Sequence, residues 1–137
     1  MLDKAKIIQL PKILDPRGNL SFFENSNQIP FDIKRTYWIY DVPGGETRGS
    51  HAFKNSTEFI IALSGSFDVV LNDGEKDMKF SLNRSYFGLY VPNLLWRSIE
   101  NFSTNSLALI VSSIQYDSTD YIRDFDEFKT IRNEVIK

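Results

Sequence analysis

From residue 6 to residue 113 the sequence is a chain of short apolar and aromatic runs, each cut off by turn residues. The runs at 6–11, 20–24, 33–41, 48–53, 58–64, 66–71, 76–82, 87–91, 96–101 and 106–113 read as strands. Between them stand Asp15-Pro16-Arg17-Gly18, Pro43-Gly44-Gly45 and Asn72-Asp73-Gly74, combinations that fix the chain in turns. Closely and regularly spaced short strands must pack as a sandwich or a closed barrel, because an isolated hairpin cannot bury its apolar face. The aromatic content, 11 Phe, 6 Tyr and 2 Trp, suits pleated, half-buried surfaces. At 137 residues the chain makes one domain, residues 1–137. Only the tail changes period: Tyr121, Phe125, Phe128 and Ile131 recur at helical spacing, which predicts a short helix after Ser118 with Thr119 as its N-cap.

Composition removes several classes of function. Net charge is −2 and the basic residues form no run, so no nucleic-acid partner is expected. The absence of cysteine excludes disulfides, thiolate metal sites and cysteine nucleophiles. No segment has the roughly 18 consecutive apolar residues of a membrane helix. The first ten residues carry Asp3, Lys4 and Lys6, unlike a signal peptide, which points to the cytoplasm. The runs 59–63, 67–71 and 107–111 are apolar at both odd and even positions. Strands of that kind bury both faces, and with so few other elements the second face predicts a homodimer.

The stretch from Gly45 to Gly65 carries the chemistry. It reads Gly45, five residues, His51-Ala52-Phe53, four residues, Glu58, six residues, Gly65. His51 and Phe53, two apart on a strand, share a face. The 54–57 loop turns the chain so that Glu58 faces them. This spacing resembles the first cupin motif, with Phe53 in place of its second His. Pro92-Asn93-Leu94-Leu95-Trp96-Arg97 resembles the second motif, with Arg97 where a third metal-binding His belongs. The likeness implies an all-β, cupin-type antiparallel β-barrel (a jelly roll) closed by the C-terminal helix. Phe cannot ligate a metal and a guanidinium offers no lone pair, so no metal and no other cofactor is expected.

Five further segments extend the resemblance over nearly the whole chain: residues 15–20, 33–37, 48–54, 88–92 and 116–123. They are similar to the dTDP-4-oxo-6-deoxyglucose 3,4-ketoisomerases, metal-free cupin homodimers acting on nucleotide-linked sugars. That family implies a base for the proton at C3, an acid that delivers one to C4, and guanidinium groups for the diphosphate. His51, the sole histidine, is the neutral-pH base. Tyr37 and Glu58 are the candidate proton relays. Arg17, Arg48 and Arg97 are the candidate substrate-binding cations. All six are expected to converge on one cavity, with Phe53 on its wall. With Phe53 at the second His position, two other readings stand beside an active isomerase. One is a binding module that holds a nucleotide sugar without turnover; the other is an isomerase or epimerase on a related sugar.

Overall fold

In the computed structural model, which describes residues 2–136, two five-stranded antiparallel sheets face each other across one core. The first has the order β1 (Lys6–Gln9), β9 (Phe87–Val91), β6 (Glu58–Ser64), β11 (Leu107–Ser112), β4 (Arg35–Ile39). The second has the order β12 (Tyr121–Ile122), β5 (Arg48–Phe53), β10 (Trp96–Glu100), β7 (Phe67–Asn72), β8 (Asp77–Leu82). Consecutive long strands β5 and β6 lie in opposite sheets, as do β9 and β10, which gives the jelly-roll arrangement expected from the sequence. Ile60, Ala62, Leu89, Ala108 and Ile110 of the first sheet meet Phe67, Val69, Leu71 and Ile99 of the second, all nearly inaccessible. At about 25 cal/mol per Å² of apolar surface, this layer is the main favourable term of the fold.

The remaining elements differ from the periodicity reading in informative ways. The expected strand at 20–24 shrinks to β3 (Leu20–Ser21), which pairs only with β2 (Lys12–Ile13) to form a small arm. Residues 22–34 lie over the outer face of the first sheet. There Phe23, Ile29, Phe31 and Ile33 pack on Phe59, Ile61 and Val111. The second apolar face of β6 is therefore covered within the chain, and the argument from its two-faced pattern to a dimer does not hold. On β7 the burial simply alternates.

The tail is not helical from Ser118. Asp117 caps a single 3-10 turn at Ser118–Asp120, Tyr121 and Ile122 extend the second sheet, and helix α1 runs from Phe125 to Ile136. Thr119 is thus no helix cap. Asp124 opens α1, its carboxylate accepting from the Asp126 amide at 3.2 Å. Pairing of β12 with the free edge of β5 won over local helical period for Tyr121.

That pairing also builds a support. Asp120 is 4% exposed, and its carboxylate accepts hydrogen bonds from the Asn55 amide (2.8 Å), the Asn55 side chain (3.2 Å) and the Ser56 amide (3.1 Å). These bonds hold the loop that carries the chain from β5 into β6. Replacing Asp120→Ala orphans the buried Ser56 donor and is expected to cost about 1–3 kcal/mol. Urea unfolding of the two proteins measures the difference.

Candidate active site

At one end of the core the sheets hold polar side chains instead of apolar ones. Arg35, Ser112 and Glu58 form one cross-strand row on β4, β11 and β6, and Tyr37 follows two residues along β4 on the same face. From the opposite sheet come His51 on β5 and Arg97 on β10, directly paired in register.

Glu58 and Arg97, each 1% exposed, join the two sheets. Arg97 donates from Nε to Glu58 Oε1 at 2.7 Å and from Nη2 to Glu58 Oε2 at 3.4 Å. Its Nη2 also donates to the Tyr37 hydroxyl at 2.8 Å, and that hydroxyl donates to Glu58 Oε2. Nη1 donates to the Gly49 carbonyl at 3.2 Å. Gly49 has φ +67°, and a Cβ there would collide with Arg97 Nη1, so both backbone geometry and the guanidinium require glycine. The inward cation that the second motif implied is thus paired with Glu58. Burial and the neighbouring negative charge push the Tyr37 phenol far up, so it stays protonated.

A cavity of about 320 Å³ opens above this network, lined by Arg35, Tyr37, Arg48, His51, Arg97, Tyr121 and Arg123 with Ile39, Gly49 and Ser50. His51 is 8% exposed, and its Nε2 is buried without a hydrogen-bond partner. Burial, then the charges of Arg97, Arg123 and Arg35, pull its pKa from the usual 6.5 down to about 2. The imidazole is therefore neutral across the physiological range. Arg35 donates to the Tyr121 hydroxyl at 2.8 Å and lies over the Tyr37 ring at 4.3 Å; Arg123 lies over the Tyr121 ring at 4.3 Å.

Of the six expected residues, Tyr37, Arg48, His51 and Arg97 line this cavity. Glu58 lies beneath it, with both oxygens bonded to Arg97 and Tyr37. Arg17 does not join it. It stands at the turn of the β2–β3 arm, its side chain 90% exposed and paired with Asp15 at 2.8 Å. Phe53 is not on the wall: it is packed behind, 4.8 Å from the His51 ring and 4.7 Å from the Tyr121 ring. Arg35 and Arg123 carry no periodicity or spacing signal, and the helical spacing at Tyr121 points away from a strand. Their one trace in the sequence is that they fall inside the segments 33–37 and 116–123.

The donors do not fit a metal. At this site the imidazole and carboxylate groups among the described residues are those of His51 and Glu58, and the Glu58 oxygens are held by Arg97 and Tyr37. Among the described residues no group of three His, Cys, Asp or Glu side chains stands close enough to hold an ion. The excess of guanidinium over carboxylate suits an anion instead.

Because Arg97 is fully enclosed, Glu58→Gln would leave an unpaired buried cation. The expected loss is about 3–5 kcal/mol of stability, read by denaturant unfolding. The double replacement Glu58→Gln with Arg97→Met should recover part of it.

Comparisons with known proteins bear on the family and the fold. The profile of the FdtA family, described as WxcM-like, C-terminal, matches residues 3–133. The chain is 41% identical to the TDP-4-oxo-6-deoxy-alpha-D-glucose-3,4-oxoisomerase of Aneurinibacillus thermoaerophilus, over 90% of this chain and 89% of that one. Its fold superposes on a 3,4-ketoisomerase from Helicobacter canadensis with a TM-score of 0.92 and 41% identity, covering 95% and 98% of the two chains. The match to QdtA, a sugar 3,4-ketoisomerase from Thermoanaerobacterium thermosaccharolyticum solved with TDP, has a TM-score of 0.95 and 34% identity over 100% of both. The match over residues 3–133 and the identity to these relatives establish that this chain belongs to the FdtA family.

Proposed function

We propose that the protein is a 3,4-ketoisomerase of a TDP-linked 4-oxo-6-deoxy sugar. The observation that carries this reading is a neutral, unpartnered imidazole in a cavity lined by four arginines. An adjacent C4 carbonyl makes the C3 proton of such a sugar acidic. His51 removes it, and the C3–H electrons form the enediolate. The negative charge that develops lies in the field of Arg35, Arg97 and Arg123, fixed in place before the reaction begins. Return of the proton at C4 gives the 3-oxo sugar. Arg48 is exposed at the cavity rim, has no ion-pair partner among the described residues, and is the cation best able to take the diphosphate. The Arg97–Glu58–Tyr37 network serves as the floor of the cavity, while Phe53 and Tyr121 pack on the His51 ring. A nucleotide-linked substrate puts the reaction in the cytoplasm, and among the described residues no helix is long and apolar enough to cross a membrane.

Relatives solved with TDP, and in one case with TDP-4-keto-6-deoxyglucose, support the choice of nucleotide sugar. Loss of the second motif His argues for the binding-module alternative only if two imidazoles are needed. One imidazole that takes the proton from C3 can return it to C4, and the cavity offers other hydroxyl groups.

We also propose a homodimer, on different grounds from the two-faced strands. The arm exposes Ile13, Leu14 and Leu20, edge strand β4 turns Trp38 outward at 57% exposure, and Tyr40 just past its end is 62% exposed. An uncovered edge strand with an aromatic outer face is a liability unless a partner strand covers it. A monomer by light scattering at micromolar concentration would contradict this.

The activity is tested by incubating the protein with dTDP-4-oxo-6-deoxyglucose in deuterium oxide and following C3 and C4 by NMR. Isomerisation with deuterium appearing at C3 or C4 is expected, and neither event would sink the reading. Because His51 is already neutral in the free enzyme, kcat/KM should show no acid limb from imidazole between about pH 5 and 8. Bound diphosphate offsets the arginine charges and raises the imidazole pKa, so kcat should lose activity at a higher pH than kcat/KM does. His51→Asn should abolish turnover while dTDP affinity stays within about tenfold, roughly 1.4 kcal/mol.

A further inference from the structure

Exchanging a carbonyl at C4 for one at C3 moves two hydrogens. One passes from C3 to C4, and the other passes from O3 to O4. His51 accounts for the carbon-bound proton. The oxygen-bound proton needs a hydroxyl that faces the cavity and has not already given its hydrogen away.

The cavity lining contains three hydroxyl side chains, Tyr37, Ser50 and Tyr121. Tyr37 is engaged on both sides: it accepts from Arg97 and donates to Glu58, a carboxylate that returns no proton. Ser50 stands on the exposed part of β5 where the register with β10 shifts, and its alkoxide would be a far stronger base than a phenolate, so it is the poorer relay. Tyr121 differs from both. Its hydroxyl accepts from Arg35 Nη1 at 2.8 Å. A guanidinium accepts nothing, so that bond leaves the phenol hydrogen unused, and no acceptor among the described residues takes it. The β12–β5 pairing sets Tyr121 opposite Phe53, and its ring lies 4.9 Å from the His51 ring. Base and phenol thus stand side by side at one cavity, within reach of neighbouring atoms of one sugar.

We propose that Tyr121 is a catalytic residue that carries the hydroxyl proton from O3 to O4. The assignment rests on the ketoisomerase reading above. His51 takes the C3 proton, the C3–H electrons form the C3=C4 bond, and the carbonyl π pair moves to O4, which takes the phenol proton of Tyr121. The phenolate, bonded to Arg35 and facing Arg123, then takes the proton of O3. The O3–H electrons form the C3 carbonyl, and the C3=C4 pair takes the proton from His51 at C4. Both side chains return to their starting states, with no further reactant.

Tyr121→Phe keeps the ring and its packing and removes only the transferable hydrogen. The expected result is a kcat about 10² to 10⁴ lower, with dTDP affinity within about threefold of wild type. Deuterium from solvent should accumulate at C3 of unisomerised substrate, because exchange falls less than isomerisation. Tyr121→His supplies a second readout that does not depend on Tyr121→Phe folding well: its kcat should gain a second imidazole ionisation, beside that of His51, that wild type lacks. A Tyr121→Phe enzyme turning over within about threefold of wild type overturns the assignment while leaving the isomerase reading intact. So does a Tyr121→His enzyme with the wild-type pH profile. A wild type that neither isomerises nor exchanges overturns both.

Discussion

The buried bond between Glu58 and Arg97 is the constraint on which the rest of the molecule depends. Taking two charges out of water costs several kcal/mol per ion, and only close pairing with full hydrogen bonding offsets that. Here both conditions are met. Arg97 spends its donors on Glu58, Tyr37 and the Gly49 carbonyl, and Glu58 accepts from Arg97 and Tyr37. Because Glu58 comes from one sheet and Arg97 from the other, the pair also fixes how the sheets sit at the cavity end. At the opposite end, apolar packing does the same. Only the polar end imposes direction, since hydrogen bonds have preferred angles and hydrophobic contacts do not.

That network explains the state of the histidine. A second carboxylate beside His51 would hold it as an imidazolium. The one carboxylate nearby is consumed by Arg97, so His51 meets net positive charge from Arg97, Arg123 and Arg35 and stays neutral. The cavity is therefore poised for an anion. A bound diphosphate would neutralise the guanidinium field and make the imidazole a stronger base, coupling substrate binding to the strength of the catalytic group.

Some local rules are broken where the site is built. Leu94, in the turn before β10, adopts φ +60°, a conformation glycine takes freely but one that costs a side-chain-bearing residue about 1–2 kcal/mol. The compensation is visible. Its amide donates to the Phe53 carbonyl at 2.9 Å, its carbonyl accepts from buried Arg132 of α1, and its side chain is 4% exposed among Ala52, Ile122 and Phe128. The turn keeps the geometry that glycine would give, so β10 still delivers Arg97 inward.

The sequence by itself determined the strand set and the alternation of its faces, because both follow from two-residue periodicity and turn chemistry acting over a few neighbours; the jelly-roll class and the meeting of His51, Glu58 and Arg97 were legible only through the likeness to the cupin motifs. Tyr37 and Arg48, expected there from the family resemblance, line the cavity. The sequence did not reveal that Arg17 lies out on the arm, that residues 22–34 cover the first sheet, or that Phe53 stands behind the cavity. Nor did it mark Arg35, Tyr121 and Arg123 as its walls. Those outcomes depend on which segments meet across the fold: Tyr121 reads as helix in its own neighbourhood and becomes a strand only because β5 offers an unpaired edge. Local pattern fixes which face a side chain turns to, whereas long-range pairing decides what that face meets, and the chemistry of this cavity belongs to the second.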